Sequence, residues 1–297
     1  MTVRILILEE LNLYMTKYLN QFRNNLHAQI IKVCHSLDLE LHFNKTGPKQ
    51  FDNYQRVALI ILYIRSKKSL RDFLDEFQEN KWKNWLQFKR IPAKSTLHDW
   101  LKLFEVKIIR ELNKHLISHI NPTLTAIDGT GLDSNLSSKH YEKRLKDFGF
   151  FKQKNPYAKL DIWIDTKSLV ILDFVLVMQP RHDVIAAEKI FKRNNLKNIE
   201  ILADRGYDSE PLHKIVCANG GKLFAPVRNK KKNPKGFNRR KCKILPDYMG
   251  KRSLVETVNS ILKRVQITAL RAKKAFMKKR ELAWHVILYN MRRLKNV

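Results

Sequence analysis

Three acidic residues, Asp128, Asp204 and Glu256, mark where this chain could do chemistry. Asp128 follows Thr123-Leu-Thr-Ala-Ile, a short apolar and β-branched run that reads as a strand. Asp204 follows a second such run, Ile199-Glu-Ile-Leu-Ala. Glu256 lies in Arg252-Ser-Leu-Val-Glu-Thr-Val-Asn-Ser-Ile-Leu-Lys263, whose spacing predicts a helix. At about 100° per residue, Arg252, Glu256, Asn259 and Lys263 fall within roughly 60° of one another. Leu254, Val255, Val258, Ile261, Leu262 and Val265 take the other side. One carboxylate thus sits between two cations on a stripe held by an apolar face.

Three carboxylates converging in a basic chain suit a hard divalent cation with oxygen ligands, Mg²⁺ or Mn²⁺. Two such ions about 3.5–4 Å apart activate an attacking oxygen and stabilise the leaving oxygen of an in-line displacement at phosphorus. No thiolate or imidazole cluster competes for that role, since Cys34, Cys217 and Cys242 are isolated. Taken singly, each acid also fits a plainer role. Asp128 and Asp204 read as turn residues ahead of Gly129-Thr-Gly131 and Arg205-Gly206-Tyr207, and Glu256 as half of a surface ion pair. The order of elements around them separates the two readings.

Up to about residue 120 the pattern is helical. Residues 52–65 and 70–77 carry apolar positions at helical spacing, and Ser95 reads as the cap of a further helix through Leu97, Trp100, Leu101, Phe104, Val106 and Ile109. Pro92 marks the turn before it. Short helices in this arrangement fit a helix-turn-helix bundle, and equally a plain helical cap. From Pro122 the pattern becomes mixed. Strands are expected at 123–128, 158–165, 169–178, 199–203 and 222–225. A helix capped by Asp183 lies between the third and fourth strands and another, over 210–218, between the fourth and fifth. The stripe helix and a last helix over 276–294 close the chain. The order β-β-β-α-β-α-β-α is that of an RNase H-like core: an α/β fold with a mixed sheet flanked by helices. The expected domains are residues 1–120, all-α, and residues 121–297, with the acids.

Charge points to the partner. The 58 Lys and Arg against 28 Asp and Glu leave a formal net charge of +30, which a polyanion, nucleic acid by default, would offset. An anionic membrane is the rival, but no long basic amphipathic helix with an aromatic face is visible. The longest apolar run, residues 57–64, is too short to span a bilayer, and the first residues lack a signal-peptide cleavage pattern. Residues 228–243 hold nine basic residues and no acid. Of these, Arg228, Lys230, Lys231, Lys232, Arg239 and Arg240 are candidate phosphate contacts that position DNA rather than read its sequence.

Ala126-Ile-Asp-Gly-Thr-Gly131, Ala203-Asp-Arg-Gly-Tyr-Asp-Ser209 and Arg252-x3-Glu256-x6-Lys263 resemble the three sequence blocks of the DDE insertion-sequence transposases that share a Tyr-Arg-Glu-Lys signature. The resemblance runs over about residues 90–295. It implies an enzyme of prokaryotic DNA transposition that cuts transposon ends and transfers the strand to target DNA. In that reading Asp128, Asp204 and Glu256 are the catalytic, metal-holding triad for Mg²⁺ (or Mn²⁺), two ions in all. Arg252 and Lys263, with Asn259 on the same stripe, face transposon-end DNA. A homodimer on DNA and a cytoplasmic, nucleoid-associated location also follow from the resemblance. Tyr248 departs from the signature, with three residues rather than two between it and Arg252. Two other classes fit parts of the sequence: a metal-dependent nuclease with the same acids but no strand transfer, and a domesticated DNA-binding protein without chemistry.

Overall fold

The structure, a computed structural model, describes residues 40, 42, 50–79, 82–132, 158–178, 181–228, 234–267 and 270–294. Lys230, Lys231, Lys232, Asp133 and residues 139–157 lie outside the described residues, as do the first 39. The chain divides into two compact units, residues 1–100 with 291–297, and residues 101–290.

In the first unit, α1 (Asn53–Ser66), α2 (Leu70–Glu79) and α3 (Trp82–Trp85) precede α4 (Lys94–Leu103). A reciprocal capping box starts α1: Asp52 accepts from the Gln55 N–H at 2.7 Å, and the Gln55 side chain accepts from the Asp52 N–H at 3.2 Å. Lys67, in the left-handed region at φ 57°, ends the helix. Phe51 packs edge-on against Trp100 at 5.0 Å between ring centres, and Phe77 against Phe88 at 5.5 Å. These rings tie the ends of the short helices together. Ser95 does not cap its helix but lies inside it, as the helix begins at Lys94, and the helix breaks after Leu103. Phe104 turns into the interior against Trp284, and Glu105 is extended at ψ 156° ahead of α5 (Val106–Leu116).

The second unit is built on a five-stranded sheet ordered β3-β2-β1-β4-β5, with β1 (Leu124–Leu132), β2 (Ala158–Asp165), β3 (Ile171–Val177), β4 (Glu200–Leu202) and β5 (Lys222–Phe224). The first three strands form an antiparallel meander, and β4 and β5 run parallel to β1. Between strands lie α6 (Asp183–Arg193) and α7 (Glu210–Ala218). After β5 come a short α8 (Phe237–Lys241), α9 (Ser253–Ile261) and α10 (Ala275–Leu294). This is the mixed sheet flanked by helices, with helices N-terminal to it, of an RNase H-like fold.

Pairing assigns the two faces of the sheet. Trp163 of β2 meets Phe191 of α6 edge-on at 6.2 Å, so α6 covers the face that carries Ile127, Gly129, Asp161 and Trp163. Asp128 and Thr130 alternate to the other face, where α9 packs with Val255 and Val258 fully buried. The outer edge at β3 is closed by two buried asparagines. Asn113 donates to the Ile171 carbonyl at 2.9 Å and Asn290 accepts from the Ile171 N–H at 2.8 Å, which uses backbone groups that would otherwise invite pairing.

Two further local expectations differ from what is found. The first strand does not stop at Asp128 but runs on to Leu132, because Gly129 and Gly131 pair with Asp161 and Lys159 of β2 instead of turning. Asp183 does not cap α6. His182 takes the cap position without a side-chain bond, and Asp183, the first helical residue, is spent on an ion pair described below.

Candidate active site

Register brings the first two acids together. β1 and β4 pair in parallel through Leu124 with Glu200, Thr125 with Ile201, and Ala126 with Leu202. Two steps further along each chain stand Asp128 and Asp204, the first still in its strand and the second just past its end. Asp204 caps a 3-10 turn over Arg205–Tyr207 by accepting the Gly206 N–H at 2.7 Å. A Cβ on Gly206 would stand 2.8 Å from that carboxylate oxygen, so a side chain there would displace the cap.

The third acid arrives on α9. Val255, Val258 and Leu262 are buried and seat the helix, and Asn259, one turn past Glu256, is buried with them. The Asn259 amide donates to Asp128 at 3.1 Å, the direct tie between this helix and the first acid. Its carbonyl oxygen is buried without a hydrogen-bond partner among the described residues. Glu256 sits at the rim, its side chain 54% exposed, and takes an ion pair from Arg252 one turn before it. The helix ends in a π-turn, Leu262–Gln266, which leaves Lys263 exposed. The same turn brings Val265 to 55% exposure, so the apolar side expected of it ends one turn early.

Electrostatics couple the three. Burial pushes the Asp128 carboxyl up to about 6; the Gly129 N–H pulls it back, the Asp204 charge adds to the rise, Arg252 opposes it, and Glu256 adds again. A carboxylate whose ionisation is held back by two neighbouring carboxylates is relieved by a cation between them. An all-oxygen donor set suits a hard divalent ion. As described, each acid has its own partner: Asn259 for Asp128, the Gly206 N–H for Asp204, Arg252 for Glu256. Among the described residues, no three His, Cys, Asp or Glu side chains are grouped so as to hold a metal ion.

Residues 120–291 match the family described as transposase DDE domain, over more than half of the chain. The chain belongs to this family. The solved structures include a cryo-EM structure of a piggyBac transposase synaptic complex with hairpin DNA. It is 14% identical over 89% of this chain and 72% of that one, at a TM-score of 0.37, too loose a likeness to carry an argument. No curated protein matches. Among the described residues, no helix is long and apolar enough to cross a membrane.

The basic candidates of residues 228–243 are placed unevenly. Arg228 folds over the Asp204 turn, its guanidinium donating to the carbonyls of Gly206 at 2.8 Å and Arg205 at 3.3 Å. Arg239 makes a two-pronged pair with the buried Asp208, both bonds 2.6 Å, which holds that carboxyl below its usual range against the effect of burial. Arg240 is exposed, with one bond to the Pro234 carbonyl at 3.3 Å. Phe237, 70% exposed, carries the Lys241 ammonium over its ring at 4.4 Å. Tyr248 donates to Glu200 at the start of β4, the end of that strand away from Asp204.

Sequence reasoning passed over two residues beside the acids. Lys159 and Asp161, two apart on β2, are both buried, and Lys159 joins Asp161 and Asp183 through its ammonium. Burial works against the Lys159 charge, and its bonds to the two carboxylates outweigh that, so its pKa is raised. Asp161 is pushed up to about 6, chiefly by burial. The available signal was charge at alternate positions of an otherwise apolar strand, facing two glycines across the ladder.

Proposed function

We propose that this chain is a DNA transposase that cuts transposon ends and transfers the freed strand to target DNA, with Asp128, Asp204 and Glu256 as the catalytic acids. The observation that carries the reading is the register of β1 against β4, which aligns Asp128 with Asp204, together with the Asn259 bond that anchors the Glu256 helix to Asp128. The three acids would hold Mg²⁺ or Mn²⁺, two ions in all. Once bound, these ions supply activation of the attacking oxygen and stabilisation of the leaving one.

The chain's own residues then have distinct tasks. Asn259 fixes the orientation of Asp128 and acts inside the protein. Arg252, half-buried, and Lys263, exposed, flank Glu256 and hold phosphates of the transposon end, and so do Arg228, Arg240 and Lys230 to Lys232. Arg239 keeps the α7 and α8 ends together through Asp208. Water attacks phosphorus, the P–O3′ bond breaks, and a 3′-hydroxyl and a 5′-phosphate result. That hydroxyl next attacks a target phosphodiester and releases a target 3′-hydroxyl, with no covalent bond to protein. We assign the chain to the Tyr-Arg-Glu-Lys group on Arg252, Glu256 and Lys263. Residues 1–120 serve DNA binding, residues 121–297 the chemistry, and two copies act together on DNA in the cytoplasm.

The test is cleavage and strand transfer on the element's own ends with Mg²⁺, for the wild type and for Asp204→Ala and Glu256→Gln. Both variants are expected to bind DNA and to be inert in both steps. Cleavage without joining of pre-cut ends to a target would leave a nuclease. Wild-type activity in either variant would remove the triad.

A further inference from the structure

The β1–β4 ladder does not reach Asp204. β4 is three residues long and its pairing with β1 stops at Leu202, two residues short of the acid. The turn that follows is held by Asp204 itself, through the Gly206 N–H, and from the β5 side by the Ala203 N–H bond to the Phe224 carbonyl and by Arg228 on the Arg205 and Gly206 carbonyls. Something must set the distance from this turn to the Asp128 strand.

Asp183 stands at both places. One of its carboxylate oxygens lies 3.1 Å from where a Cβ on Gly129 would be, next to Asp128 in the chain, and the other 3.2 Å from where a Cβ on Gly206 would be. A single carboxylate thus lies where the missing side chains of the glycines beside the two strand acids leave room, on the α6 face of the sheet. It is not free to move. Lys159 donates to it from β2, and the same ammonium lies 2.9 Å from Asp161 and donates to the Arg181 carbonyl at 3.0 Å. Asp161 fills the slot left by Gly129, where a Cβ would collide with its carboxylate oxygen. The Lys159 side chain is 7% exposed, that of Asp161 0% and that of Asp183 36%.

One buried ammonium shared by two carboxylates is a poor way to stabilise a fold. Desolvation of the charges offsets most of the attraction, and apolar residues of similar volume do as well or better. The arrangement is better suited to holding geometry, because ion pairs and their hydrogen bonds fix direction as well as distance.

We propose that Lys159, Asp161 and Asp183 form an ionic brace that fixes the Asp204 turn against the Asp128 strand, with Asp183 as the positioning residue that bears on the turn. The catalytic consequence rests on the function proposed above; the mechanical claim does not. Gly129 and Gly206 belong to the same device, since each makes room for a carboxylate of the brace.

Amide hydrogen exchange on the full-length protein tests the mechanical claim, comparing the wild type with Asp183→Asn and, should that variant fold poorly, with Asp183→Ser. Exchange at residues 203–208 is expected to rise at least tenfold in the variant, while residues 124–132 and 158–165 stay as protected as in the wild type. Mg²⁺-dependent cleavage of transposon-end DNA is run on the same samples. There kcat is expected to fall at least tenfold and KM for DNA to stay within twofold, a split that general loss of folded protein would not give. Unchanged exchange at 203–208 in a folded variant overturns the brace. Raised exchange with wild-type kcat overturns its role in positioning. If the wild type cleaves no DNA, the transposase reading is what fails, and the exchange result still decides the brace.

Discussion

Helix α6 ends on a buried aspartate at each extremity, and the two ends are treated in opposite ways. At its C-terminus, Asp173 of β3 is fully buried and saturated. Arg193 reaches it with two nitrogens at 2.6 and 2.8 Å, Asn194 donates at 2.6 Å and the Phe174 N–H at 2.7 Å. At the N-terminus, Asp161 of β2 is just as buried on the same face, yet neither oxygen has a hydrogen bond of good geometry, and its ammonium is shared with Asp183. The helix dipole suits both arrangements, with Asp183 in the first turn and Lys192 and Arg193 in the last. The difference therefore lies in what surrounds each acid. Asp173 is closed on itself and serves the fold. Asp161 belongs to a region short of positive charge and feels the charge of Asp128, itself held near pKa 6. On the proposed function, a deficit at one end only suits a cation-binding centre.

The largest expected effect tests which end carries chemistry. Asp128→Asn is expected to lower Mg²⁺-dependent cleavage by at least about 10²–10³-fold with DNA binding retained, the scale seen when one charge-stabilising group is removed from an active site. Asp173→Asn should leave the activity of the folded fraction unchanged. Both are read from single-turnover cleavage on one DNA substrate, and equal losses would erase the distinction between the ends.

Stability should separate them the other way. Asp173→Ala leaves Arg193 without its partner and is expected to cost about 3–5 kcal/mol in denaturant unfolding. A loss below about 1 kcal/mol would mean that the saturated end is no structural lock.

The deficit also has a pH signature. Asp128 holds its proton more tightly folded than unfolded, with a pKa of about 6 against 3.8, so ionisation penalises the native state. The penalty is nearly absent at about pH 3, grows between about pH 4 and 6, and is full above that. Asp128→Asn is therefore expected to stabilise the metal-free protein at pH 7.5, by on the order of 2–3 kcal/mol, and to change almost nothing at about pH 3. Thermal melts at both pH values measure it, and a stabilisation that persists undiminished at the lower one would point to packing instead. Mg²⁺ should raise the wild-type melting point at pH 7.5 and leave that of Asp128→Asn unmoved.

The smallest effects come from glycines. Gly129→Ala drives a methyl into Asp161 and is expected to cost about 1–3 kcal/mol. Gly250→Ala meets nothing within 4 Å and should stay within about 0.5 kcal/mol. Similar values for the two would deny the slot under Asp161.

The α/β order, and the places of Asp128, Asp204 and Glu256 within it, were legible because they rest on local signals: alternation in strands and helical spacing. The extent of β1 was not. Gly129-Thr-Gly131 carries the composition of a turn, and only the partners across the ladder, Asp161 and Lys159, show that those glycines make room inside a strand. Asp183 misled for the same reason. Its position before an apolar helix is that of a cap, and the ammonium that claims it lies 24 residues earlier in sequence. Asn259 was legible as part of the polar stripe, but its burial was not, since the strand that covers it lies 131 residues away. Contacts at such separations leave no trace in a local pattern.

That separation also orders events as the protein is made. A ribosome adding about 5–20 residues per second needs roughly 7–26 s to travel from Asp128 to Asn259. All five strands have been synthesised before the helix that carries Glu256. On the proposed roles, a chain interrupted between Asp204 and Glu256 has both strand acids but no third ligand and no Asn259 tie. Truncated products are then inert toward DNA strands, and the ability to cut is acquired only once the message has been read past the Glu256 helix.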